Sequence, residues 1–260
     1  LELKSFINKY TQKSAPVQLS LFDNFSTITQ PEEKYSSLSE LTSVSHDYKL
    51  IENQEDISQF LAKISTQDFF CFDTETTSTD VFSADLVGMS FCWKKNEAFF
   101  ILLPENREEA QKIVDQFKPL FENDKIFKIG QNLKFDVLML KQYGVEVKGE
   151  LFDTMIAHYL IQPELRHGMD ALAEQYLKYK TVTYDELTTE NGKKNLPLRS
   201  VDKNRLADYA AEDADITFQL YEIFKDELVK NNLDKLFKTI EMPLMHVLCE
   251  MENAGVRVDV

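Results

Sequence analysis

FFCFDTETT, residues 69–77, runs four apolar residues straight into Asp73 and Glu75. A short apolar run rich in aromatics reads as a strand buried on both faces. Side chains alternate along a strand, so Asp73 and Glu75 project from one face, following Phe69 and Cys71. Two carboxylates at the end of a core strand repel one another and resist desolvation, at a cost of several kcal/mol if left unpaired. A divalent cation with a preference for hard oxygen ligands, Mg²⁺ or Mn²⁺, would hold them together. The other reading is a strand that simply ends, with its acids in water. These nine residues leave both open.

Outward from this strand the pattern is that of a mixed α/β domain. YKLI (48–51) reads as a strand and DISQFLAKI as a helix. LVGMSFCW (86–93) and AFFILL (98–103) read as strands joined through KKNE (94–97). A helix over 106–121, a strand at 126–130, a helix over 131–144 and a strand within 145–152 follow. Helices beginning at Thr154, over 170–177 and over 203–229 complete the list. A mixed sheet flanked by helices accounts for this order. Residues 11–47 are rich in Ser, Thr, Gln and Pro and read as a linker, broken by Leu19, Leu21, Phe22 and Phe25.

The chain has 260 residues, 43% of them apolar, and a net charge of −15, which argues against a broadly basic nucleic-acid binder. It does not exclude a protein that grips a nucleic-acid end through metal ions. Cys71, Cys92 and Cys249 are far apart and suggest neither a zinc site nor a disulfide framework. No run has the length of a membrane span. The reading is a reducing, cytosolic protein.

Two further stretches break the helical pattern with acids. In QNLKFDVLMLKQYG (131–144), Asp136 lies inside the stripe of Leu133, Val137 and Leu140, with Asn132 one turn before it on the same side. In the helix over 203–229, Asp213 occupies a position expected to be apolar, and Tyr209 shares its face four residues earlier. Such violations concentrate at functional sites. Asp153 reads as a helix N-cap, His158 as structural, and His46 as a surface residue. Lys134, Glu212 and Asp215 point elsewhere and read as solvated.

DTE at 73–75, NLKFD at 132–136 and YAAED at 209–213 resemble the three motifs of the 3′–5′ exonuclease domain of bacterial DNA polymerase I. That domain belongs to the tyrosine branch of the DEDD exonuclease superfamily. The resemblance implies an RNase H-like fold with a mixed five-stranded sheet. It divides the chain into 1–47, a linker from an upstream 5′-nuclease domain, 48–235, the exonuclease, and 236–260, the start of the polymerase domain. It also implies two divalent cations, Mg²⁺ or Mn²⁺. Asp73 would bridge them, Glu75 and Asp213 would hold the first, and Asp136 would reach the second. Tyr209 would orient the attacking water, and Gln131, Asn132 and Arg166 would hold the strand. The implied partner is the single-stranded 3′ end of DNA, acted on by a cytoplasmic monomer that is nucleoid-associated when on DNA. The parent would be a DNA-directed DNA polymerase in replication and repair. An RNase D-like RNA exonuclease and a catalytically silent DNA scaffold are the alternatives. The intact acids speak against the scaffold, and EMPLMHVLCEMENAGVRVDV (241–260), which resembles the opening of a polymerase domain, speaks against the RNase D reading.

Overall fold

The computed structural model describes residues 38–190, 192 and 194–257. The expected linker cluster around Leu19 to Phe25 lies outside them. The described strands are β1 (Ser39–Glu40), β2 (Asp47–Ile51), β3 (Phe69–Thr76), β4 (Leu86–Lys94), β5 (Glu97–Leu102), β6 (Phe127–Gly130), β7 (Leu151–Asp153) and β8 (Tyr179–Lys180). The helices are α1 (Gln54–Ile64), α2 (Arg107–Phe121), α3 (Leu133–Lys141), α4 (Thr154–Ile161), α5 (Met169–Leu172), α6 (Tyr184–Leu187), α7 (Lys203–Lys230), α8 (Asp234–Leu236) and α9 (Met242–Ala254).

The main sheet runs in the order β2-β5-β4-β3-β6-β7. β3, β4 and β5 form an antiparallel meander, whereas β2, β6 and β7 join it in parallel. It therefore has six strands rather than five. β7, at the edge, overlaps the strand read within 145–152, so the count of five belongs to the resemblance and not to the strand pattern. β1 and β8 pair separately.

β3 is central and its alternation sorts the layers. Phe70 and Phe72 point to the side of α1 and α2, where Phe91, Phe117 and Phe121 form a continuous aromatic core. Fully burying each such ring contributes about 1.5–3 kcal/mol. Phe69, on the opposite face, stacks on Phe218 of α7 with ring centroids 5.9 Å apart. α7 lies across β3, β4 and β5, and its buried residues include Ala207, Ala210, Ala211 and Ala214. Such small side chains let a helix axis approach a sheet closely. The face of β3 that carries Asp73 and Glu75 is thus the face on which α7 lies.

The turn from β6 into α3 is equally tight. A Cβ at Gly130 would come within 2.3 Å of the Leu133 side chain and 3.2 Å of the Phe72 carbonyl oxygen. Asn132 follows in the left-handed conformation, φ 60°, which asparagine tolerates better than most residues.

Asp153 secures this turn. Its carboxylate accepts from Met155 N and Ile156 N at the start of α4, as expected of an N-cap. It also accepts from Asn132 N and Leu133 N at the start of α3. One buried carboxylate thereby satisfies the open amides of two helices. Asp153→Ala should cost about 2–4 kcal/mol, beyond an ordinary cap, because four amide donors of two helices, all but one part-buried, lose their acceptor. Urea denaturation measures this; a loss below about 1 kcal/mol would show that the double cap is not what holds α3 in place.

Candidate active site

The side chains of Asp73, Glu75 and Asp213 converge: each offers a carboxylate oxygen, and these oxygens lie within 4.8 Å of one another. Asp73 and Asp213 are half-buried and Glu75 is buried. The β3–β4 register shifts between Glu75 and Thr76, and such an irregularity ends regular pairing and re-aims side chains. Tyr209, one turn before Asp213 on α7, is half-buried at the same place.

Burial raises all three carboxyl groups, Asp73 to about 7 and the other two well above the usual carboxylate range. The charge of Asp73 pushes Glu75 and Asp213 further up. Burial also raises the Tyr209 phenol, with the negative charges of Asp213, Glu75 and Asp73 adding to it. Tyr209 therefore stays protonated at neutral pH.

Asp136 belongs to the same neighbourhood but not to the trio. It is 2% exposed, on the first turn of α3. Its Oδ1 accepts from Thr74 N at 3.0 Å and from Thr74 Oγ1 at 2.5 Å. Burial and the charge of Asp73 raise its carboxyl, and the Thr74 bonds oppose that.

This donor set fits hard divalent cations. Two unit charges at such separations repel by about 3–4 kcal/mol at an effective dielectric of about 20. Among the described residues no lysine, arginine or histidine forms an ion pair with any of the four acids. All four are oxygen donors of the kind Mg²⁺ and Mn²⁺ prefer.

The other expected residues fall in different places. Gln131 is buried with its amide engaged: Nε2 donates to the His167 carbonyl at 2.8 Å, and its oxygen accepts from Thr154 Oγ1. It ties the loop that carries Arg166 to the start of α3. Asn132 is exposed and makes no capping bond, and Arg166 is exposed on its loop. His158 is structural, as expected: fully buried, its ring nitrogens lie 2.7 Å from His167 Nδ1 and 3.1 Å from Tyr176 Oη. His46 is exposed.

Three residues expected to be solvated are corrected. Glu212 and Asp215 do point away from the trio, but both are buried rather than solvated. Glu212 accepts from Tyr179 Oη and Val182 N. Asp215 accepts from Tyr48 Oη, Asn96 N and Gln219 Nε2. The side of α7 away from the trio is covered by β8, the 179–182 segment and β2, so it has no water to face. Lys134 likewise is not simply solvated but pairs with Glu252 of α9. Thr74 had no signal of its own: its role exists only through a partner 62 positions away.

A mixed sheet whose central strand presents acids to an acid-bearing helix defines a metal-dependent nuclease of the RNase H-like class. Comparison with known proteins agrees. A family described as 3′–5′ exonuclease matches residues 48–229. DNA polymerase I of Borreliella burgdorferi is 36% identical over 216 residues, covering 82% of this chain and 23% of that protein. DNA polymerase I of Pseudomonas aeruginosa is 33% identical over 223 residues, covering 82% and 24%. The chain belongs to the 3′–5′ exonuclease domain family of DNA polymerase I. It spans about a quarter of the length of those relatives. Among solved structures, Brucella melitensis NrnC bound to pGG superposes with a TM-score of 0.63 at 17% identity, covering 84% of this chain and 98% of that one. The POL domain of Pol1 from M. smegmatis, in complex with DNA primer-template and dNTP, gives 0.61 at 20% identity, covering 81% and 33%. Among the described residues no helix is long and apolar enough to cross a membrane.

Proposed function

We propose that Asp73, Glu75, Asp136 and Asp213 hold two divalent cations, Mg²⁺ or Mn²⁺, and that with Tyr209 they hydrolyse the 3′-terminal phosphodiester of single-stranded or frayed DNA. The products are nucleoside monophosphates. The observation that carries this reading is the convergence of three buried or half-buried carboxylates within 4.8 Å, without a basic ion-pair partner among the described residues and beside a tyrosine. Cations bound there would activate water, polarise the phosphate and stabilise the departing 3′ oxygen.

The side chains have separable tasks. Asp73, Glu75 and Asp213 hold the first ion, and Asp136 reaches toward the second. Tyr209, kept protonated by its burial and then by its acidic surroundings, positions the attacking water through its hydroxyl and does not act as an ionised base. Arg166 and Asn132, both exposed, hold the strand, while Gln131 acts through the loop it ties down. A chain with net charge −15 repels a phosphate backbone, so the attraction to a strand end arises at the cations. A stacked, paired end cannot enter a recess between sheet and helix, and a mismatched end costs least to unpair. This favours editing of frayed termini.

In the parent protein, residues 1–47 link to a 5′-nuclease domain and 236–260 open the polymerase domain. That parent is a DNA-directed DNA polymerase of replication and repair, working in the cytoplasm on nucleoid DNA. The decisive experiment gives this chain 5′-labelled oligonucleotides with Mg²⁺, with Mn²⁺ or with EDTA. Stepwise shortening from the 3′ end should be faster on single-stranded than on blunt duplex DNA, and EDTA should stop it. Faster hydrolysis of matched RNA would move the substrate to RNA, and no hydrolysis of either would sink the reading.

A further inference from the structure

We propose that Thr74 is a positioning residue that presents Asp136 to the second cation. The inference rests on the two-cation reading above. In a strand the residue between Asp73 and Glu75 points to the opposite face, so Thr74 cannot join the trio. It contacts Asp136 instead, through both its backbone N and its Oγ1, and both bonds end on the same oxygen, Oδ1.

The backbone bond has a topological cause. β3 pairs with β6 only as far as Cys71 opposite Ile129. β6 ends at Gly130, and the chain turns into α3. From there on β3 has no paired strand on that side among the described residues, and Asp136 takes up the amide that a longer β6 would have used. Thr74 Oγ1 then fixes the rotation of the carboxylate about its last bond, which the backbone bond alone leaves free. With Oδ1 accepting two hydrogen bonds, Oδ2 is the oxygen left to face the site. A group hydrogen-bonded to a metal ligand sets its orientation and basicity, and losing it costs about 10–100-fold in affinity.

The test is Mn²⁺ titration calorimetry on the whole 260-residue chain, together with the Mg²⁺ dependence of hydrolysis, for the native protein, Thr74→Val and Thr74→Ser. Valine keeps the branched shape and the backbone bond but lacks the hydroxyl; serine keeps the hydroxyl. The native protein should bind two ions. Thr74→Val should bind the first ion within about twofold of native and the second about tenfold more weakly. Its half-saturating Mg²⁺ should rise in parallel, with kcat at saturating Mg²⁺ much less changed. Thr74→Ser should restore both. First-ion affinity doubles as a check on the fold, because a misfolded site would lose both ions. Should Thr74→Val lose both, Thr74→Ala, which cannot overfill the space, replaces it. Native-like second-ion binding in a folded valine or alanine variant would overturn the proposal. So would equal weakening of both ions, or failure of serine to rescue. A native protein that binds no second ion overturns the two-cation reading, and this proposal with it, before any variant is measured.

Discussion

Asp73→Asn should slow hydrolysis of single-stranded DNA by about a thousandfold or more and, in the same protein stripped of ions, raise the melting temperature at pH 8. The loss follows from the position of Asp73, the acid whose charge acts on the other three. Removing even one preorganised electrostatic group from a reaction centre costs about 10²–10³, and here a shared ligand goes with it. The gain has the opposite origin. Burial raises the Asp73 carboxyl to about 7. An acid whose folded value lies above its unfolded value destabilises the fold when ionised. The penalty is absent below the unfolded value and complete above the folded one. At pH 8 the charged form dominates, and asparagine removes that charge without changing the shape. It also relieves the carboxyl groups that this charge raises. Relief of about 2 kcal/mol would show as about 4–8 °C at this chain length. Single-turnover cleavage and thermal unfolding in EDTA measure the two effects. A purely structural aspartate gives the reverse stability sign. Activity within tenfold of native, or a less stable variant, would falsify the assignment.

How much of this was legible before the fold was seen differs by element, and for physical reasons. The apolar run of β3 and its two acids could be read directly because side-chain alternation is local. The pairing of Tyr209 with Asp213 could be read because helical neighbours recur every three or four residues. Asp136 announced itself by sitting where a hydrophobe belongs. Thr74, in contrast, gains its meaning from Asp136, and only the β3–β6 pairing and the turn at Gly130 bring the two together. The double cap at Asp153 depends in the same way on β7 lying beside β6. Glu212 and Asp215 misled for a third reason. The helical pattern separates one face of α7 from another, but it does not show that both are covered. Residues 38–48 and 179–182 lie far away in the chain, and it is Tyr48, Tyr179 and Val182 that supply partners for those carboxylates.

The ion-free protein should unfold at progressively lower temperature as pH rises from 6.5 to 8, and saturating Mn²⁺ should reverse that slope. Four acids in one neighbourhood are all raised above their ordinary values, Asp73 to about 7 and Glu75, Asp136 and Asp213 well up from theirs. Across this range the native state holds protons that the unfolded chain has lost. Stability rises with pH only where the unfolded state binds more protons, so here it falls. His158, lowered to about 4 by burial and by the charge of His167, works in the opposite direction at lower pH, which is why the window stops at 6.5. Cations select the deprotonated acids, so their affinity grows as pH rises. An ion at one hundred times its dissociation constant adds about 2.7 kcal/mol, or about 5–10 °C for a chain of this size. Glu212, Asp215 and Asp153 are raised as well, but they face away from the trio or cap helices and should not respond to Mn²⁺. The difference between the two profiles therefore isolates the site. In Asp73→Asn that difference should shrink to a small fraction of its native size. A native slope unchanged by Mn²⁺ would mean that these carboxylates titrate together without sharing an ion.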